Sequence, residues 1–283
     1  VNLSSLYEGV KGTLGFSLKG KDVSGQERAT GAFEIKDLLY PPFQKTEASG
    51  EAKLGYSEGK FLLELKGNFL PGDNEFNVSI ALPAYEPTIS VDARGRISNL
   101  NLLLPWKGAK GRVNYLGEAR GLKTSPQIKG AIDFQGPVFP LPKFAHALQN
   151  YSGLMFLENN KLSLRSFQAK LGGGDVQGFG EFRLSNGIVE NINVKFEGKN
   201  LLLSPLERTR ALADGTLNLI KSSGRFVLEG DLSIQKLSWR REIDEKFVFY
   251  SSPYYESETV PSFFDDLALN IRLRADGNAW MEN

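Results

Sequence analysis

The chain contains no cysteine and a single histidine, His146. Disulfides, thiolate nucleophiles, structural zinc sites and iron–sulfur clusters are therefore excluded, and a Ser-His-Asp triad would have to run through His146. The missing cysteine fits a reducing cytosol and an envelope protein that avoids stray disulfides equally well. An excess of either charge is also lacking: 34 Lys and Arg stand against 33 Asp and Glu over 283 residues, a net charge of +1. Surfaces built for nucleic acid carry a marked basic excess, so nucleic acid is not an expected partner. No apolar run approaches the ~20 residues of a membrane-spanning helix. The opening Val1-Asn2-Leu3-Ser4-Ser5 has no basic stretch leading into an apolar core, so no secretory signal is read there. The chain starts and stops inside its own pattern and reads as a fragment of a longer protein.

What is abundant is glycine, at 30, and phenylalanine, at 19 against only 2 methionines. That composition favours β structure, and the dominant signal is alternation of period two. Phe226, Leu228, Leu232 and Ile234 share a face with Gly230, opposite Arg225, Glu229, Asp231 and Ser233. Leu267, Leu269, Ile271 and Leu273 lie opposite Asp266, Asn270, Arg272 and Arg274. Ile188, Ile192, Val194 and Phe196 form a third set, and Val176, Phe182 and Leu184 a fourth, with Gly178 and Gly180 between them. The N-terminal half repeats the form, as in Leu14, Phe16 and Leu18, or Phe76, Val78, Ile80 and Leu82. Turn residues separate the runs at Ser57-Glu58-Gly59-Lys60, Pro71-Gly72-Asp73-Asn74 and Ser185-Asn186-Gly187. Roughly fifteen strands of ~5–10 residues are expected, mostly as an antiparallel meander. Two segments, Pro142 to Tyr151 and Pro205 to Ala213, depart from alternation and read as short helices or caps. Arg240 to Pro261 reads as irregular, with one strand near Phe247 to Tyr250.

One apolar face per strand must be covered. A second sheet would give a β-sandwich or barrel with an internally filled core. Lipid would cover the outside of an outer-membrane barrel, but most runs are shorter than the ~9–11 residues such strands need, and Trp106, Trp239 and Trp280 form no girdle. A ligand could instead lie along a curled, incompletely closed sheet, whose exposed apolar area exceeds the ~300–600 Å² patch a soluble monomer tolerates.

Candidate chemistry is thin. Gly172-Gly173-Gly174-Asp175 lacks the strand-before, helix-after context of a phosphate loop and reads as a bulge or tight turn. Asp265 and Asp266 are strand neighbours pointing to opposite faces, and Glu242, Asp244 and Glu245 sit in a charged stretch; solvated surface fits both better than a glycosidase pair. His146 has no partner for metal or triad, so it reads as a surface or capping residue. Trp239-Arg240-Arg241 reads as a strand end, with contact to an anionic headgroup as the alternative. No catalytic residue, metal site or cofactor is expected.

Gly174-Asp175-Val176-Gln177-Gly178-Phe179-Gly180-Glu181-Phe182 is a glycine-spaced strand. Ala213-Asp214-Gly215-Thr216-Leu217-Asn218-Leu219 is followed by Gly230-Asp231-Leu232-Ser233-Ile234, and Leu267 to Ala275 by Asn278-Ala279-Trp280-Met281-Glu282-Asn283. In that order these segments resemble the TamB family, the inner-membrane-anchored subunit of the translocation and assembly module, within the AsmA-like, bridge-like lipid-transfer proteins. The resemblance covers residues 161–283; residues 1–160 follow by pattern alone. It implies an all-β fold, an elongated curled antiparallel sheet or β-taco with an open groove, forming a single module over residues 1–283 upstream of the family's C-terminal domain. It also implies a periplasmic location, an anchor in the inner membrane, phospholipid as ligand, and an outer-membrane barrel protein as partner through parts not in this chain. On that reading the groove in the better-matched half is lined by Phe182, Leu184, Ile192, Val194, Phe196, Leu217, Leu219, Phe226, Leu228, Leu232, Ile234, Leu267, Leu269, Ile271 and Leu273. The expected function on this resemblance is a lipid-transfer conduit between the two membranes, with help in outer-membrane protein assembly as a further implied role. The alternative is a structural or protein-binding β-sandwich with a filled core.

Overall fold

Alternation of apolar and polar residues is expressed as strand almost everywhere. A computed structural model describes residues 11–23, 26–39, 46–103, 108–141, 144–185, 188–204, 209–222, 224–240, 267–275 and 279–282. The first strands are β1 (Lys11–Val23), β2 (Gln26–Leu39), β3 (Thr46–Ser57), β4 (Lys60–Leu70), β5 (Asn74–Pro83), β6 (Thr88–Ile97), β7 (Lys110–Leu122) and β8 (Gln127–Phe139). They are followed by β9 (Leu148–Glu158), β10 (Lys161–Leu171), β11 (Gly174–Ser185), β12 (Ile188–Leu203), β13 (Thr209–Ser222), β14 (Arg225–Arg240), β15 (Leu267–Ala275) and β16 (Ala279–Glu282). All belong to one open, curled sheet ordered as in the chain, with β16 also on β14. Two compact units divide it: residues 1–105, 111–133 and 157–159, and residues 106–110, 134–156 and 160–283.

Residue choice explains the tight turns. Glu58 and Gly59 both take positive φ, 53° and 71°, between β3 and β4, as do Gly172 and Gly173, 56° and 85°, between β10 and β11. This left-handed pair is what a two-residue hairpin turn requires. The Gly172-Gly173-Gly174-Asp175 run is thus a hairpin turn. The Asn186-Gly187 turn falls outside the described residues.

In the first unit one row of facing positions runs Phe16, Phe33, Gly50, Gly67, Phe76, Gly95, Tyr115 across β1 to β7. Phe33 and Phe76 are three strands apart, ~14 Å on a flat sheet at ~4.8 Å per strand, yet their ring centroids lie 5.9 Å apart. The sheet therefore curls with its apolar face inward. Gly50 and Gly67 lie opposite each other between the two rings and supply the room. Phe33, 3% exposed, packs with Ala48, Ala52 and Phe76, and with Leu65 and Phe69 at the margin. Fully buried Asn74 closes one end of this face. Its Nδ2 donates to the carbonyls of Phe69 and Pro71, and its Oδ1 accepts from the backbone N–H groups of Ser98 and Asn99, all within 3.2 Å.

The second unit repeats the device. Phe167 of β10 and Phe196 of β12 face each other across Gly178 of β11, with ring centroids 6.0 Å apart. Tyr151 is buried in β9, its hydroxyl donating to the carbonyl of Lys110 at 3.1 Å; burial pushes its pKa up to about 12.

Four expectations are corrected. The strands are longer than 5–10 residues: β1 to β14 run 10 to 16, because in-strand glycines such as Gly31 and Gly50 continue the ladder instead of ending it. The length objection to an outer-membrane barrel therefore falls, and direction of curl replaces it: such barrels turn the apolar face outward, whereas the first unit turns it inward. Neither expected helix is seen among the described residues. Leu148 to Tyr151 opens β9 and Thr209 to Ala213 opens β13; the spacing of Phe144, Ala147, Leu148 and Tyr151 mimics a helix, and Ala211 and Ala213 are too small to register as alternating bulk. The one helical turn described is of 3-10 type, at Leu100–Leu102. β15 and β16 both run parallel to β14. Finally, a register shift after Arg183 pairs Leu184 with Val189 and skips Glu190, so the unbroken alternation expected from residue 188 to Phe196 does not hold.

Candidate functional site

The fifteen residues expected to line a groove fall in register on one face of the second unit. Phe182 pairs with Ile192, and Leu184 with Val189. The next level reads Val194, Leu219, Leu228, Leu269, and the one beyond it Phe196, Leu217, Gly230, Ile271. Leu232 pairs with Leu273, Ile234 with Ala275, and Phe226 with Leu267. Among the described residues every strand belongs to the one sheet, so no second sheet lies over this face. Its residues are shielded mainly by one another. Val194 in the middle is buried, most others are half-buried, and Leu269 and Leu273 on β15 are 67% and 63% exposed.

Alternation alone missed several members of this face. Leu164, Ala169, Leu201, Ala211 and Ala213 are all buried there, but Leu201 follows a register shift in β12 and the alanines carry little bulk. Lys221 was also missed, although it extends Leu217 and Leu219 by one alternation. It pairs with Ile192 and Phe226, its Nζ donates to the carbonyl of Val189 at 2.7 Å, and it stands 5.0 Å from the centre of the Phe226 ring.

The reverse face is mainly polar, with Phe179 and Leu202 exposed among its charges. Lys161–Glu181, Lys170–Asp175 and Lys195–Glu197 are ion pairs of 2.6 to 2.7 Å, all well exposed. Exposed pairs of this kind add at most about 1 kcal/mol; they keep this side wet. In the first unit a cavity of about 800 Å³ opens on the polar side, walled by Lys66, Asn77, Arg94, Glu75 and Arg96 over a floor at Gly50, Gly67 and Gly95. The apolar face of that unit is different: the rings of Phe16, Phe33, Phe69 and Phe76 fill its middle, while Phe61 toward one end stays 47% exposed.

His146 is a capping residue, though not of a helix. Its Nε2 accepts the backbone N–H of Ser204 at 3.0 Å, and burial lowers its pKa, so the neutral ring is the form the fold holds. Among the described residues no three His, Asp or Glu side chains are grouped as metal ligands, and no helix is long and apolar enough to cross a membrane. Trp239 and Arg240 end β14 as expected. The acids at 242, 244, 245, 265 and 266, Arg241 and the strand expected near Phe247 lie outside the described residues. Among the described residues this surface offers hydrocarbon over many square ångströms, with one cation among it. No family model, no curated protein and no solved structure matches this chain.

Proposed function

We propose that this chain binds lipid acyl chains on the apolar face of its second unit, as a segment of an envelope lipid-transfer protein of the kind its resemblance to the TamB family implies. The observation that carries the reading is the single-layered sheet: fifteen apolar residues converge on one face, and no described strand covers them. Each acyl CH₂ moved from water onto such a face gains ~0.8 kcal/mol, without a fixed geometry. Sheet hydrogen bonds hold the surface in shape while side chains act as bulk, so single conservative changes are tolerated. A periplasmic location, phospholipid as cargo and an outer-membrane barrel partner belong to the same proposal.

One observation favours the rival reading for part of the chain. The aromatic cluster of the first unit covers its own apolar face, as the core of a structural module does. The second unit therefore bears the lipid proposal. Mass spectrometry of an organic extract from the purified chain tests it. Bound lipid is expected in the wild type and loss of it in Leu228→Asp, because an unpaired carboxylate in an apolar site costs several kcal/mol. A lipid-free wild type that stays fully soluble refutes the proposal and supports a filled structural module.

A further inference from the structure

One position on the apolar face of β10 to β15 is charged. Lys221 stands there one residue before the end of β13, and no other position in register with that face carries a charge among the described residues. Its ammonium is pinned by the Val189 carbonyl and by the Phe226 ring. No carboxylate among the described residues pairs with it. An ammonium has three donors, and Val189 uses one. Among the described residues a fixed cation with donors to spare thus sits at a strand end, and one alternation inward the surface is hydrocarbon: Val194, Leu219 and Leu228. From Phe226 to Ile234 the apolar strand runs ~26 Å at ~3.3 Å per residue, longer than the ~15 Å that a lipid chain spans in half a bilayer core.

We propose that Lys221 anchors the head of an anionic amphiphile, phosphate or carboxylate, whose hydrocarbon chain lies over Phe226, Leu219 and Leu228. The proposal rests on the reading that this face takes acyl chains. It adds a direction to the ligand, head at the strand end and tail inward, and a preference for negative over neutral heads, because an anionic head adds a Coulomb attraction to the ammonium that a neutral head lacks.

The whole 283-residue chain is titrated by calorimetry with three probes sharing one oleyl chain: oleoyl lysophosphatidate, oleate and oleyl alcohol. The wild type is expected to bind at least one anionic probe about tenfold more tightly than the alcohol. Lys221→Gln should bring that probe to the level of the alcohol without changing the alcohol, and Lys221→Arg should restore the preference. Lys199→Gln, on the opposite face, should change nothing. A loss shared by both anionic probes assigns any anionic head; a loss for lysophosphatidate alone assigns phosphate. Anionic binding that survives in Lys221→Gln overturns the anchor while leaving the acyl-chain reading in place. If none of the three probes binds the wild type, the acyl-chain reading falls, and this proposal with it.

Discussion

Two glycine-to-alanine changes on the same face of the first unit should act with opposite sign. Gly67 lies directly opposite Gly50, and a methyl group on it would run into the carbonyl oxygen of Ser49 and stand 3.0 Å from the Phe33 ring. The carbonyl belongs to the β3–β4 ladder and can give way only by parting the strands. Losing one or two ladder bonds costs ~1 kcal/mol each, and displacing the buried ring adds a typical overpacking cost of ~1–3 kcal/mol. Relief of glycine's conformational entropy returns ~0.5–1 kcal/mol. The balance is a loss of about 2 kcal/mol, which for a unit of this size lowers Tm by roughly 5–10 °C. At Gly20, on the same face of β1, nothing lies within 4 Å of the added methyl. There only the entropic gain operates, and Tm should stay level or rise slightly. Scanning calorimetry on the two variants decides the matter. Equal or higher stability in Gly67→Ala would mean that the curl does not depend on bare backbone beneath Phe33.

Asn74→Ala removes four hydrogen bonds at a fully buried position; a loss of about 3–5 kcal/mol is expected, since unsatisfied buried partners cost ~1–3 kcal/mol each and a turn can rewet in part. Urea midpoints measure it, and a change below 1 kcal/mol refutes it. His146 is held neutral, its folded pKa below the usual 6.5. The unfolded chain therefore takes up the proton first, so this contribution is full above about pH 6.5 and is lost as pH falls through the folded value. Urea midpoints at pH 7.5 and 5.5 should differ more for wild type than for His146→Gln, and an identical difference in both proteins counts against the cap.

The sequence by itself determined which side of most strands is oily, where hairpins such as Glu58-Gly59 turn, and that the chain is all-β. These are local properties: alternation of period two needs only the pleat, and a left-handed turn needs only the two residues that make it. Tertiary structure decided the rest. Phe33 and Phe76 meet only because the sheet curls over Gly50 and Gly67, and that curl fills the apolar face of the first unit while β15 in the second stays exposed. Leu201 and Val189 reach their face through register shifts invisible to a pattern count, and β15 joins β14 in parallel. Alternation from Leu217 and Leu219 reaches Lys221, but only the register set it between Ile192 and Phe226. Register and curl join residues far apart in the chain, and no window of local sequence encodes those distances.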